Sequence, residues 1–321
     1  MEITKKIAEE LSVKPSQVEA AVKLIDEGCT IPFIARYRKE VTGSLNDEQL
    51  RNLDERLKYL RNLEDKKAQV IASIAEQGLL TDELKNQIEK ADTMVAVEDL
   101  YRPYRPKRRT RATIAKEKGL EPLANVILLQ MTGEPVVKTA EEYVSEEKDV
   151  KTPEDAVAGA KDIIAESISD NADYRTRIRE LTFKEGVLTS AAKDAEAKTV
   201  YEMYYNFSEP VAKMAGHRIL AVNRGENEKI LTVKIEAPVD KILSYLEKQI
   251  IVRDNRYTTG IIKEAIEDSY ERLIAPSIER EIRNQLTETA EAGAIKVFGK
   301  NLEQLLLQPP ITGHVVLGWD P

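Results

Sequence analysis

Five leucines spaced three or four residues apart constrain the fold of this chain more than any other feature. They are Leu50, Leu53, Leu57, Leu60 and Leu63. Because an α-helix has 3.6 residues per turn, this spacing places all five side chains on one face, as in a helix that packs on a core. Ser44 precedes the stripe as the predicted N-cap, and Gly78 follows it. The sequence therefore predicts one long helix between Ser44 and Gly78.

The composition extends this helical prediction to most of the chain. Of the 321 residues, 42% are hydrophobic and 32% are charged, whereas only 5% are aromatic. This mixture can build real cores and suits solvated helix faces better than strand-rich sandwiches or barrels. No signal-peptide stretch follows Met1 and no run of 18 apolar residues occurs, while the single cysteine, Cys29, fits a reducing compartment. We expect a mainly α, cytoplasmic protein without a membrane partner.

Local start and stop signals predict a multi-helix bundle followed by a long helix. Thr152 and Pro153 combine a capping hydroxyl with proline at the first helical position. Two helices are expected after them, separated near residues 169–171, and a third is expected over residues 191–205. From Ile261 onward, apolar residues at helical spacing predict one very long helix, which Pro276 should kink near its middle.

One small β-hairpin is predicted between these helical regions. Residues 218–223 change from helical to alternating character, and residues 230–235 form a second run rich in β-branched side chains. Gly225 and Asn227 lie between the two runs and are typical of a turn. The sequence therefore predicts that residues 218–223 pair with residues 230–235.

The apolar run at residues 315–318, Val-Val-Leu-Gly, predicts a different kind of strand. A run without alternation is typical of a strand buried on both faces of a parallel sheet, and such a sheet needs further strands and crossover helices. We therefore expect the chain to stop at the first strand of an α/β domain. Asp320 follows that strand, where open α/β sheets place functional groups, although one carboxylate alone cannot hold metals for hydrolysis.

Motifs for catalysis and cofactor binding are missing from the sequence. It contains no P-loop, dinucleotide-binding, nucleophile-elbow or zinc-protease pattern. With two histidines and one cysteine, a His/Cys metal site is not expected. We interpret His217 and His314 as packed or capping side chains. The sequence predicts no enzyme activity, no metal and no cofactor.

The charge distribution indicates nucleic acid as a partner. Over residues 101–118 eight cations oppose one carboxylate, a net +7 in a chain of formal charge −8, which leaves −15 elsewhere. Pro103 and Pro106 favour polyproline II, whose three-residue turn would align arginines on one edge and two tyrosines on another. Such a ridge could grip phosphates and stack bases. The predicted binding residues are Tyr101, Arg102, Tyr104, Arg105, Lys107, Arg108, Arg109 and Arg111.

A second interpretation of this basic island stays open. Its arginines could dock onto the protein's own acidic helices, and its tyrosines could pack into the core. A smaller basic segment between two predicted helices consists of Arg36, Tyr37, Arg38 and Lys39. This segment is either a loop that contacts nucleic-acid backbones or, as we favour here, a site of local capping and packing.

Four segments resemble the bacterial Tex family of transcription accessory proteins, relatives of the eukaryotic Spt-type elongation factor core. They are IPFIARYRKEVTG at 31–43, LYRPYRPKRRTRA at 100–112, HRILAVNRGE at 217–226 and LLLQPP at 305–310. The resemblance covers essentially all 321 residues. It implies a Tex-type N-terminal helical region over residues 1–200, a connector with the hairpin over 201–237 and a long helical region over 238–310. Residues 311–321 would begin a YqgF domain of RNase H-like fold.

The resemblance also implies nucleic-acid binding linked to transcription, with RNA or DNA bound mostly by later helix-hairpin-helix and OB-fold domains. Asp320 would match the first acidic position of a RuvC/RNase H-like site, although the family is regarded as scaffold and not as nuclease. Our leading hypothesis is therefore a non-enzymatic nucleic-acid-binding scaffold. The alternatives are a protein-interaction scaffold, whose long helix from Ile261 presents a groove to the transcription machinery, and part of a metal-dependent nuclease.

Overall fold

The computed structural model describes residues 3–106, 108–309, 312–313, 315 and 317–318. The chain divides into two compact units, Met1–Lys107 and Arg108–Pro321, each with its own hydrophobic core. Most of the described residues are helical, so the predicted mainly α fold class is confirmed. The domain boundaries predicted after residues 200, 237 and 310 stay predictions.

The first unit is built of six helices in its described part, with α4 at its centre. The five leucines of the stripe are all buried, which confirms the predicted long helix. Its N-cap is Asn46 and not the predicted Ser44, because Asn46 Oδ1 accepts from Gln49 N at 2.8 Å and Gln49 Oε1 accepts from Asn46 N at 3.0 Å. The helices are α1 Ile3–Glu10, α2 Pro15–Asp26, α3 Ile31–Tyr37, α4 Asp47–Glu76, α5 Asp82–Lys90 and α6 Met94–Tyr101.

The second unit packs nine α-helices of the described chain with a small sheet. The two helices predicted after Thr152 are confirmed, and the first begins at a capping box in which Thr152 Oγ1 accepts from Asp155 N at 3.1 Å. The helices are α7 Arg111–Glu117, α8 Glu121–Leu129, α9 Val136–Ala140, α10 Pro153–Asp170, α11 Ala172–Glu185, α12 Gly216–Asn227, α13 Val239–Ile250, α14 Thr259–Asp268 and α15 Ala275–Leu306. Within the described residues, none of the helices is both long and apolar enough to cross a membrane.

The long helix predicted from Ile261 onward runs from α14 into α15 through a π-helical turn, Ser269–Ile274. Pro276 lies two residues after this turn; its ring has no N–H and would clash with the carbonyl four residues earlier in regular α geometry. The buried Ser269 Oγ donates to Ala165 O of α10 at 2.7 Å and anchors the turn. The predicted kink at Pro276 stays a prediction; what the structure shows is a change of helix type that ends at Ile274, two residues before the proline.

The β structure is a three-stranded antiparallel sheet of order β2-β1-β3 and not the predicted hairpin of 218–223 with 230–235. Residues 218–223 belong to α12, where the buried Ile219 and Val222 lie one helical turn apart. Gly225 lies on the same face of α12. A Cβ at this position would come within 2.6 Å of Leu231 Cδ1, so glycine lets the helix pack closely against β3. The second predicted run is confirmed as a strand, with β1 as its partner. The strands are β1 Val187–Ala192, β2 Asn206–Pro210 and β3 Leu231–Glu236.

The helix predicted over residues 191–205 is wrong. Ala191 and Ala192 end β1, and only a single 3₁₀ turn, Glu202–Tyr204, precedes β2. Alanine and lysine in this segment have high helix propensity, but pairing of β1 with two neighbours overrides that preference. The predicted terminal strand at 315–318 and Asp320 lie wholly or partly outside the described residues, so both stay predictions.

Candidate nucleic-acid interface

The boundary between the two units falls within the basic island, so its two parts are described separately. The part that ends the first unit contains Tyr101, Arg102, Tyr104 and Arg105. The part that begins the second unit contains Arg108, Arg109 and Arg111. Lys107 lies outside the described residues.

In the first unit, the predicted polyproline segment is wrong in its first half. Helix α6 reaches Tyr101, and Arg102–Tyr104 form a 3₁₀ turn. Pro103 occupies the second position of that turn, where an N–H is not needed. Two contacts with the end of α4 hold this turn in place. Tyr101 Oη lies 3.0 Å from Ser73 Oγ, and Gln77 Nε2 donates to the backbone carbonyl Tyr104 O at 3.0 Å.

Both tyrosine rings pack against the core of the first unit and are partly buried. Of the two interpretations left open by the sequence, packing into the core is therefore the one observed for Tyr101 and Tyr104. Arg102 is half-buried in the same turn. Arg105 points outward instead, with a side chain 66% exposed and Nη1 3.8 Å from Glu98 Oε2.

In the second unit, three arginines surround the start of α7. Thr110 caps the helix by accepting from Thr113 N at 3.0 Å, and Arg108 and Arg109 come just before this cap. Arg111 is the first helical residue. Cations are disfavoured at the positive end of a helix dipole, so helix formation does not account for these three side chains.

The cations of the second unit differ in how strongly they are held by carboxylates. Arg108 is exposed, and no carboxylate of the described chain lies within ion-pair distance of it. Arg109 Nη2 lies 3.3 Å from Glu117 Oε2, with both side chains more than 60% exposed. Lys118 is held more firmly, because Nζ donates to Asp149 O at 2.7 Å and to Asp149 Oδ2 at 3.2 Å. Pairing with the protein's own carboxylates therefore accounts for the position of the Lys118 charge but not for that of the Arg108 charge.

Arg111 lines a cleft of about 440 Å³ together with Lys118 and Asp162, and the cleft carries equal numbers of basic and acidic side chains. Burial raises the pKa of Asp162, and the charges of Arg272 and Arg111 oppose that rise. A hydrogen bond from Arg272 lowers the pKa of the nearby Asp268. Arg111 therefore contributes to the electrostatics of this cleft, whereas Arg108 and Arg109 are exposed and precede the cap of α7.

The interpretation of His217 as a packed or capping side chain is wrong, because within the described chain His217 is exposed and makes no side-chain cap bond in α12. His217 is the second residue of α12 and lines an apolar groove with Phe183 and Phe298. His314 lies outside the described residues. Among the residues that the structure describes, no group of three or more His, Cys, Asp or Glu side chains is arranged to hold a metal ion.

Sequence reasoning missed one feature of the smaller basic segment. Phe33 and Tyr37 are both exposed on α3, beside Arg36, Arg38 and Lys39. The spacing of the two aromatic residues, four apart on a helix, is the signal that could have identified them as one surface. The local capping that we favoured from the sequence is confirmed for Arg38, whose Nη1 donates to Tyr37 O at 3.3 Å at the end of α3, whereas Phe33, Arg36, Tyr37 and Lys39 are exposed and not packed into the core.

Comparisons with known proteins agree with the resemblance in the four segments. Residues 1–75 match the family described as Tex-like protein N-terminal domain, and residues 132–298 match the family described as Tex central region-like. A Bacillus subtilis protein, YdcI, described as uncharacterized, is 52% identical over 99% of this chain and 45% of its own length.

Two further relatives carry descriptive names. The Transcriptional accessory protein Tex of Neisseria gonorrhoeae is 41% identical over the whole chain and 43% of its own length. The human S1 RNA-binding domain-containing protein 1 is 31% identical over 98% of the chain and 33% of its own length. The chain spans less than half the length of these relatives. Because the central-region match alone covers residues 132–298 and the identities extend along the whole chain, the chain belongs to the Tex family.

Proposed function

We propose that this chain is the helical part of a nucleic-acid-binding transcription accessory scaffold, acting in the cytoplasm on RNA or DNA. The observation that carries the proposal is the outward orientation of Arg105, Arg108 and Arg109, whose charges are weakly held or not paired within the described chain. The names of the Neisseria and human relatives, which refer to transcription and to RNA binding, support it.

Exposed cations of this kind are suited to phosphate contacts. An ion pair between exposed side chains contributes only about 0–1 kcal/mol. A phosphate can therefore replace Glu98 beside Arg105, or Glu117 beside Arg109, at little cost in free energy. Arginine presents several donors in a planar fork that matches phosphate oxygens. Because phosphates are the same in every sequence, we expect binding without base specificity through these residues.

The test is a binding titration with labelled 16-nucleotide RNA, single-stranded DNA and duplex DNA. The Arg105→Ala/Arg108→Ala/Arg109→Ala triple variant should bind each of them more weakly than the unaltered chain. The matched control is Lys118→Ala, which removes a cation already bound to Asp149. Unchanged affinity of the triple variant would refute the proposal for these three arginines.

A protein-interaction scaffold is the second candidate function. An apolar groove of about 870 Å³ lies between α12 and α15, and beyond Ala290 the side chains of α15 are exposed. Val297 and Phe298 are 60% and 68% exposed there, as expected of a face that binds a protein of the transcription machinery. A pull-down from lysate with and without nuclease separates the candidates, because only a direct protein partner survives digestion.

We further propose that the chain acts by binding and not by catalysis. Its scarcity of histidine, the most frequent general acid and base in enzymes, supports this. The competing nuclease hypothesis is tested with the complete protein, Mg²⁺ or Mn²⁺, and branched or single-stranded substrates. Cleavage that disappears in an Asp320→Asn variant would establish the nuclease.

A further inference from the structure

Helix α3 carries two aromatic side chains on its solvent side. Phe33 is 38% exposed and Tyr37 is 64% exposed. Their ring centroids are 5.3 Å apart with the planes inclined by 47°, because residues four apart lie one above the other on a helix. Two neighbouring aromatic rings in solvent form a surface on which flat molecules can stack.

Three cations surround this aromatic pair. Arg36, Arg38 and Lys39 are all exposed, and Arg38 Cζ lies 5.3 Å from the centroid of the Phe33 ring. Unlike Arg109 or Lys118, none of the three has a carboxylate within ion-pair distance among the residues that the structure describes. Their charges are therefore not explained by docking onto the protein's own acidic groups.

The backbone that carries these side chains is held in place from within the first unit. Ile34 is buried and anchors α3, and the buried Thr42 donates from Oγ1 to Arg38 O at 3.2 Å. Ser44 N donates to Lys39 O at 2.7 Å, and Gln17 Nε2 of α2 donates to Gly43 O at 2.7 Å. The side chains thus project from a fixed support, which reduces the entropy lost on binding.

We propose that Phe33, Arg36, Tyr37, Arg38 and Lys39, hereafter the α3 surface, bind single-stranded nucleic acid. The two rings stack bases, and the three cations contact the adjoining phosphates. This site is separate from the basic island, and it shares with the proposed function only the class of ligand. Nothing in the match to the Tex family assigns it.

The combination of groups selects this ligand over two others. A duplex has its base faces stacked internally, so it could use the cations but not the rings. An acidic peptide would likewise pair with the cations and has no flat group for Phe33 and Tyr37. Only a single strand offers phosphates and accessible base faces together.

The experiment measures binding of the complete 321-residue chain to fluorescein-labelled dT16, U16 RNA, a 16-base-pair duplex and a poly-glutamate peptide. Phe33→Ala/Tyr37→Ala should weaken binding of both single strands by about thirtyfold or more and change duplex binding by less than about twofold. Phe33→Leu/Tyr37→Leu keeps apolar area without a stacking face and should lose the same affinity. Phe33→Tyr keeps a ring and should bind as the unaltered chain does.

The cations are tested through the salt dependence. Arg36→Ala/Arg38→Ala/Lys39→Ala should reduce the slope of log K against log salt for dT16 by about 2, because each phosphate contact on a single strand contributes about 0.7. The control variant Leu79→Ala/Lys85→Ala/Lys90→Ala removes exposed residues of the same unit and should leave both affinity and slope unchanged.

Photo-crosslinking of 4-thiouridine RNA should label Tyr37 or Phe33.

The outcomes separate this inference from the proposed function. If the Arg105→Ala/Arg108→Ala/Arg109→Ala variant loses affinity while Phe33→Ala/Tyr37→Ala does not, the proposed function stands and the α3 surface is overturned as a nucleic-acid site. If only the α3-surface variants lose affinity, the α3 surface stands and the basic island is overturned. Binding of poly-glutamate that depends on the α3 surface, with dT16 unaffected, would assign the surface to an acidic peptide and overturn the inference.

Discussion

The fully buried Arg175 of α11 donates a hydrogen bond from Nη2 to Glu281 Oε1 of α15 at 2.8 Å. Arg179, one turn further along α11, donates from Nη2 to Glu281 Oε2 at 2.7 Å. One carboxylate thus joins two arginines and fixes α11 against the long helix. Because Arg175 has lost its hydration, Glu281 contributes to compensating its charge, and Ser277 Oγ accepts a further hydrogen bond from Nη2 at 2.7 Å.

Glu281→Ala should therefore destabilise the second unit by about 3–5 kcal/mol, because it removes a carboxylate that pairs with a buried guanidinium and with Arg179. The free energy of unfolding is measured by urea denaturation followed by circular dichroism. Glu288→Ala, which removes an exposed carboxylate of the same helix, is the control and should change stability by less than about 0.5 kcal/mol. Equal effects of the two substitutions would contradict the role given to the Arg175–Glu281 pair.

Gly159 and Gly293 predict opposite effects of the same substitution. A Cβ at Gly159, inside α10, would lie 2.4 Å from Cδ1 of the buried Leu120 and 3.3 Å from Ala115 Cβ. Gly159→Ala should thus destabilise by about 1–3 kcal/mol through overpacking, despite alanine's better helix propensity. A Cβ added at Gly293, inside α15, would meet no packing atom within 4 Å, so Gly293→Ala should stabilise by about 0.5–1 kcal/mol. Thermal unfolding of both variants tests the opposite signs.

The ion pair between Glu10 and Arg56 predicts a pH dependence of the first unit. Arg56 Nη2 donates to Glu10 Oε1 at 2.6 Å, and this hydrogen bond lowers the pKa of Glu10 below its ordinary value of 4.5. A lowered pKa means that the stabilisation is present above about pH 4.5 and is lost as the pH falls through the folded-state pKa. Arg56→Gln should cost about 0.5–1 kcal/mol near pH 7 and progressively less below pH 4.5.

Unfolding in urea at a series of pH values between 3 and 7 measures this difference. Arg51→Gln is the matched control, because Arg51 pairs with Asp47 one turn away on the surface of α4, and both side chains are at least half exposed. Its effect should be about 0.3 kcal/mol at neutral pH. A difference between Arg56→Gln and the unaltered chain that stays constant down to pH 3 would contradict the assignment to Glu10.

The sequence predicts those parts of the fold that depend on local periodicity. The leucine stripe of α4 and the cap at Thr152 each involve residues within a few turns, and both predictions are confirmed. The pairing of β1 with β3 joins Leu188 to Ile235, forty-seven positions apart, and no local pattern encodes it. Ile219 and Val222 fit an alternating pattern as well as a helical one, so only the packing of α12 decides between them.

The same limit applies to the candidate site. Charge clustering in the sequence identifies the basic island. It does not identify the carboxylates that pair with Lys118 and Arg109, because the folded chain brings these groups together. The packing of Tyr101 beside Ser73 is also set by tertiary structure, because α4 brings Ser73 to that position. Exposure of Phe33 and Tyr37 could be suspected from their spacing, but an aromatic pair at that spacing is equally typical of a buried helix face.

Arg108 and Lys118 should differ in their contribution to the salt dependence of binding. If about four cations of the basic island contact phosphates, log K should fall with log salt with a slope of about −2.8 on single strands and about −3.6 on duplex DNA. Arg108→Ala should reduce the steepness by about 0.7 or 0.9 respectively, because one fewer counterion is released. Lys118 already donates to Asp149, so Lys118→Ala should leave the slope unchanged. Equal changes in slope for the two variants would show that binding responds to net charge and not to the outward-facing arginines.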